Sequence, residues 1–207
     1  MCLCDACLNE LPYIKSACKS CGLPLNDIHS DKCGSCVTTP PPVHQAISVL
    51  HYDSPVDYLI KHMKYHNQLS IAELLGKLLV DKIKEFPGDL PEQIIPVPLH
   101  VERLKRRGYN QAIEIARPIS RALNIPINLT DCTRVKATAP QIDLPASERG
   151  KNIKNAFEIS THLKSRHIAI LDDVMTTGST VWEIADTLLA SGVEQVDVWT
   201  CARATVS

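Results

Sequence analysis

Apolar residues at positions 71, 74, 75, 78, 79, 83 and 86 recur at three- and four-residue intervals, the stripe that one face of an α-helix turns toward a core. The pattern predicts a helix over residues 71–86, which Pro87 and Gly88 stop. A shorter helix is expected over 55–63, with Ser54 as N-cap and Pro55 in its first position. Residues 109–123 and 181–190 predict two more helices, the second closed by Gly192. Between them lie short apolar runs at 46–52, 93–97, 125–129, 168–171 and 195–201, which predict strands. The run at 168–171 is β-branched and unalternated, as suits a parallel strand buried on both faces.

That run leads into Asp172 and Asp173, then Val174 and Met175, then Thr176, Thr177, Gly178, Ser179 and Thr180 ahead of the 181–190 helix. The five small residues let backbone N–H groups converge, and a phosphate placed there meets amides, hydroxyls and the positive end of a helix dipole. The two carboxylates cannot serve the same phosphate. They either accept hydrogen bonds from sugar hydroxyls or help hold a metal ion. A sugar phosphate satisfies both halves.

The first 40 residues have few large apolar side chains but six cysteines in Cys-x2-Cys pairs: Cys4 and Cys7, Cys18 and Cys21, Cys33 and Cys36. In a reducing compartment such pairs are zinc knuckles rather than disulfides. Cys18, Cys21, Cys33 and Cys36 are expected to close one tetrahedral structural Zn²⁺ site. Cys4 and Cys7 either recruit Cys2 and a further ligand, or await an upstream pair, or belong to a disordered end. Residues 38–42 form a proline-stiffened joint, which divides a cysteine-rich ribbon at 1–40 from a larger domain at 43–207. Cys132 and Cys201 are expected as small buried core residues.

A net charge of −1 removes any global pull toward nucleic acid. No run reaches the roughly 18 apolar residues of a membrane span, and a cytoplasmic protein is expected. Basic charge is instead local. Arg103, Lys105, Arg106 and Arg107 stand against Glu102 in the segment after the 93–97 strand, where open α/β sheets place their ligands. Such a cluster suits pyrophosphate, a nucleic-acid backbone or a solvated loop. A second basic stretch, 134–154, includes Arg149, lacks apolar periodicity, and from 137 onward is expected to act as a lid over a polyphosphate. Lys61 and Lys64 sit one turn apart, on either a solvated face or a phosphate contact. His62 and His66 lack a third ligand and are assigned to the surface.

The 168–180 stretch resembles, position for position, the 5-phosphoribosyl-1-pyrophosphate (PRPP) motif of type I phosphoribosyltransferases. The wider order of cysteine pairs, proline joint, residues 59–65, 96–111, Gln141 with Arg149, 152–157 and 172–180 resembles the ComF/GntX family over essentially the whole chain. The resemblance implies a type I phosphoribosyltransferase fold, a parallel sheet of about five strands flanked by helices, behind an N-terminal zinc ribbon. It implies binding of PRPP or a related ribose phosphate with Mg²⁺. Asp172 and Asp173 would lie at the ribose, residues 176–180 at the 5′-phosphate, and Arg103, Arg106, Arg107 and Arg149 at the pyrophosphate. It also implies a role in competence, with single-stranded DNA or a DNA-processing helicase as partner. The site then belongs either to a phosphoribosyltransferase or to a non-catalytic nucleotide- or DNA-binding adaptor that kept the ligand site.

Overall fold

In a computed structural model of the chain, residues 3–27, 29–136 and 153–205 are described. Four strands, β1 (Gln45–His51), β2 (Gln93–Pro96), β5 (His167–Met175) and β6 (Gln195–Arg203), pair in parallel in the order β1-β6-β5-β2. Register places Ile168 beside Val196 and Leu171 beside Trp199, so the apolar runs sit side by side. The run at 125–129 joins this sheet only by a parallel bridge between Ile127 and Ile94. A separate antiparallel pair, β3 (Cys132–Arg134) with β4 (Phe157–Ile159), brackets the segment that includes residues 137–152.

Helices cover both faces, as a parallel sheet buried on both sides demands. Against one face lie α3 (Val56–His66), α4 (Leu69–Lys84) and α6 (Gln111–Leu123), whose Ile60, Leu75, Leu79, Ile115 and Ile119 pack with Ala169, Leu171 and Trp199. Against the other lies α7 (Ser179–Ala190), whose Val181, Ile184 and Leu188 pack with Ile168, Ile170 and Val198. The expected α/β architecture with a small cysteine ribbon is the one observed.

Several boundaries differ from the sequence reading. The 55–63 helix begins at Val56 and runs to His66, because Pro55 occupies the cap itself and no side chain caps that end. Residues 101–107 form a helix, α5 (Val101–Arg107), which the basic run masked in the sequence. The imidazole of His100 accepts from the Glu102 N–H, and Lys105, Arg106 and Arg107 crowd the last turn, where positive charge suits the helix dipole. Strand β5 continues through both aspartates to Met175.

The ribbon holds α1 (Asp5–Asn9) and α2 (Gly34–Thr38) and is tied to the outer edge of β1. Ile14 N–H donates to the Val49 carbonyl, His51 N–H to Pro12 and Ala46 N–H to Lys19. Gly22 lies at φ +66°, and a Cβ there would stand 2.7 Å from the Ser48 hydroxyl, so the ribbon approaches the sheet as closely as a glycine permits.

Candidate functional site

Parallel strands deliver their chemistry at their carboxyl ends, and there β5 carries Asp172 and Asp173 just before it ends at Met175 and the chain turns into α7. A cleft of about 240 Å³, open to solvent, is lined there by Asp172, Val174, Met175, Thr176 and residues 178–181. Gly178 is the N-cap of α7 at φ +82°, and no side chain caps this end. The Thr177 and Ser179 hydroxyls hydrogen-bond each other at 2.8 Å, which tightens the turn. The result is an uncapped helix N-terminus rimmed by hydroxyls, an arrangement suited to an anionic oxygen cluster. A second cleft, of about 260 Å³, lies at the opposite end of the sheet between Asp197, Trp199 and the turn at 86–91. None of the motif residues reaches it.

The acidic pair is buried unequally. Asp173 is 3% exposed, and its carboxylate meets the ammonium of Lys64 at 2.5 Å. Burial opposes the charged form at both carboxyls. At Asp173 the neighbouring Lys64 outweighs burial and holds the carboxyl below its usual range. At Asp172 burial, reinforced by the charge on Asp173, pushes the carboxyl well above it. The two carboxyls are thus pushed apart, Asp173 toward its charged form and Asp172 toward its neutral form.

Positive charge collects around this pair. Arg107 stacks on the Tyr65 ring at 5.4 Å, bonds the Gln111 side chain, and lies near enough to Asp173 to favour its charge. Arg134, on β3, is near enough to Arg103 and Asp172 to feel both charges, and burial followed by the charge of Arg103 pushes its guanidinium down to about 10. Asp172 and residues 176 and 178–180 thus line one cleft, Asp173 lies next to Asp172, Arg107 and Arg134 lie near enough to the pair to feel its charge, and Arg103 lies near Arg134. Arg106 is exposed on α5, and no contact among the described residues ties it to the cluster. Arg149 and the expected lid over 137–154, all but its last two residues, lie outside the described residues.

Three residues around the site have places the sequence reading did not give them: Lys64, read there as a solvated side chain or a phosphate contact, pairs with Asp173, and Arg134 and Arg203 were given no role. Lys64 carried a signal: it continues the apolar positions Val56 and Ile60 at four-residue steps, and a lysine on a buried stripe demands a counter-ion. Lys61, by contrast, pairs with Asp57 on the surface. Arg134 stood at the start of a stretch that gave no periodicity. Arg203 had no signal at all. It is 6% exposed, and its guanidinium donates to the carbonyls of Cys21, Met175, Thr176 and Ala204, joining the cysteine ribbon to the turn that follows β5.

The 108–111 run proves to be scaffolding for this rim. Asn110 caps α6 by accepting from Ala112 N–H, while its amide donates to the Val97 carbonyl at 3.0 Å. The Tyr109 hydroxyl donates to the Met63 carbonyl and so fixes the end of α3 that carries Lys64.

In the ribbon, Cys18, Cys21, Cys33 and Cys36 are buried with all four sulfurs within 4.8 Å of one another. A tetrahedral Zn²⁺ with bonds of about 2.3 Å requires sulfur pairs about 3.8 Å apart, and Cys21 and Cys33 stand at 3.7 Å. The donor set fits structural zinc. Cys4 and Cys7 are exposed, and no third ligand joins them among the described residues.

No protein-family model matches the chain. It is 39% identical over 205 residues to the DNA utilization protein YhgH of Escherichia coli O157:H7, covering 97% of this chain and 90% of that one. It is also 39% identical over 213 residues to Competence protein F of Haemophilus influenzae, covering 98% and 90%. Competence protein ComFC of Bacillus subtilis matches at 26% over 201 residues, covering 92% and 79%. Among solved structures, adenine phosphoribosyltransferase from Leishmania tarentolae aligns with a TM-score of 0.43 at 13% identity, covering 80% of this chain and 93% of that one. No helix among the described residues is long and apolar enough to cross a membrane.

Proposed function

We propose a ribose-phosphate function for this chain, which belongs to the ComF/YhgH family of competence and DNA-utilization proteins. The rim at the carboxyl end of β5 takes PRPP or a related ribose phosphate, and the protein works in the cytoplasm. One observation carries the reading: Asp172 and the start of α7 line a single cleft, with Asp173 next to Asp172 and with Arg107 and Arg134 near enough to the acidic pair to feel its charge. The amides and hydroxyls of residues 176–180 hold the 5′-phosphate. Asp172 and Asp173 hold the ribose hydroxyls, because a carboxylate accepts where a phosphate loop only donates. Arg103, Arg107 and Arg134 face the pyrophosphate, with Arg106 and Arg149 available to it.

In an enzyme of this kind the bond from the anomeric carbon to pyrophosphate breaks and a nucleophile takes the ribosyl phosphate. The chain's contribution is electrostatic: the acidic pair favours positive charge on the ring while the arginines stabilise the departing anion. Asp173 is already held by Lys64, so it does not fit as a direct Mg²⁺ ligand, and Mg²⁺ would come with a ligand that carries pyrophosphate, whose charge it would help neutralise. Zn²⁺ on the four ribbon cysteines is structural.

A second reading, a nucleotide- or DNA-binding adaptor without catalysis, has its own observation. Along the exposed face of α3 the rings of Tyr58, His62 and His66 form a ladder at 4.1 and 4.5 Å, with Tyr65 and Arg107 beside it. Such surfaces suit unpaired bases of single-stranded DNA, and a DNA-processing helicase is the corresponding protein partner. Titration with PRPP, Mg²⁺ and candidate bases, following heat and released pyrophosphate together, separates the two. Binding with release supports the enzyme, binding without release the adaptor, and the absence of PRPP binding overturns both.

A further inference from the structure

The ammonium of Lys64 occupies the place at the acidic pair that a divalent cation would need. Its 2.5 Å approach to the Asp173 carboxylate is made from the inward face of α3, beside the fully buried Ile60 and Met63. Asp172 adds to the field that holds it there. The Tyr109 hydroxyl donates to the Met63 carbonyl one residue before the lysine and so holds the backbone from which its side chain reaches.

A Mg²⁺ ion asks for six oxygens at about 2.0–2.1 Å in near-octahedral array and releases its waters reluctantly. At Asp173 it would meet a second positive charge at contact distance, beside a carboxylate that is itself almost fully buried. The two cations repel, and expelling the lysine would strand an ammonium against the apolar face of α3.

We propose that Lys64 is the resident cation of the acidic pair, so that the ribose end of this site takes a ribose monophosphate without any divalent metal. The inference rests on the ribose-phosphate reading above. Lys64 is a positioning residue in it: the ammonium holds Asp173 charged and fixes which carboxylate oxygen faces the sugar. Any requirement for metal is then confined to ligands that bring a pyrophosphate of their own.

The test is calorimetric titration of the full-length protein with ribose 5-phosphate, in EDTA and again in excess Mg²⁺. The expected wild-type result is one affinity under both conditions, within about twofold. Lys64→Met should lose about tenfold or more in EDTA, as expected when a charge-assisted hydrogen bond is removed, and should regain part of it in Mg²⁺. Lys64→Arg should stay metal-independent. Should Lys64→Met fail to fold, the wild-type comparison still decides the matter. Wild-type binding that falls tenfold or more in EDTA overturns the role of Lys64 and leaves the ribose-phosphate reading standing. Wild-type protein that binds ribose 5-phosphate under neither condition overturns that reading, and the inference with it.

Discussion

Arg203→Met should lower the stability of the whole chain by about 3–5 kcal/mol, a loss read from the midpoint and slope of a urea transition. The side chain is replaced by one of similar reach, so little packing is lost and most of the effect falls on hydrogen bonds. Four carbonyls, on Cys21, Met175, Thr176 and Ala204, lose a charged donor in a place that water reaches poorly. A bond to a charged group contributes about 1.5–3 kcal/mol, and partial rehydration keeps the sum below four full bonds. The same guanidinium touches both ribbon and ligand turn, so the variant should also bind ribose phosphate more weakly than its stability alone explains. A loss under about 1 kcal/mol would show that the two parts are held together by something else.

Gly178→Ala should weaken ribose 5-phosphate binding by about tenfold to a hundredfold while the protein remains folded. Two costs combine. At φ +82° an alanine is strained by about 1–2 kcal/mol. Its Cβ would also fall 2.3 Å from the Trp182 indole, which cannot retreat freely because it packs against the ribbon cysteines. The turn must therefore move, and the convergence of amides on the phosphate moves with it. Adding Trp182→Ala should remove the collision but not the strain, so affinity should return in part. Calorimetry on the two variants, with thermal melts to verify folding, checks both statements.

These two residues mark what the sequence could and could not disclose. Gly178 was legible because the motif around it is local: strand, carboxylates and turn follow one another, and each constrains the next. The cysteine cluster was legible for the same reason, since paired spacing fixes each half of a tetrahedral site. Arg203 was not, because three of its four acceptors come from Cys21 and from the end of another strand and its turn, and nothing near residue 203 announces them. The final strand was expected to stop at Cys201, and an arginine two residues later has the composition of an exposed end. Helix α5 was hidden by its charge, which reads as loop until its position at a helix C-terminus is known. Arg134 stood in sequence next to a long polar stretch but in space beside Asp172. Lys64 lay between these cases, visible as a lysine on an apolar stripe, though its partner could not be named before the fold placed α3 over β5.

The central claim is that residues 176–180 hold the phosphate of a ribose phosphate. Titrating ¹⁵N-labelled protein with ribose 5-phosphate and following amide resonances tests it most directly. The account predicts saturable shifts, with one common affinity, for Gly178, Ser179, Thr180 and Val181, while Asp89 and Leu90 at the opposite end of the sheet stay still. Saturable binding that leaves those four amides unmoved would contradict it.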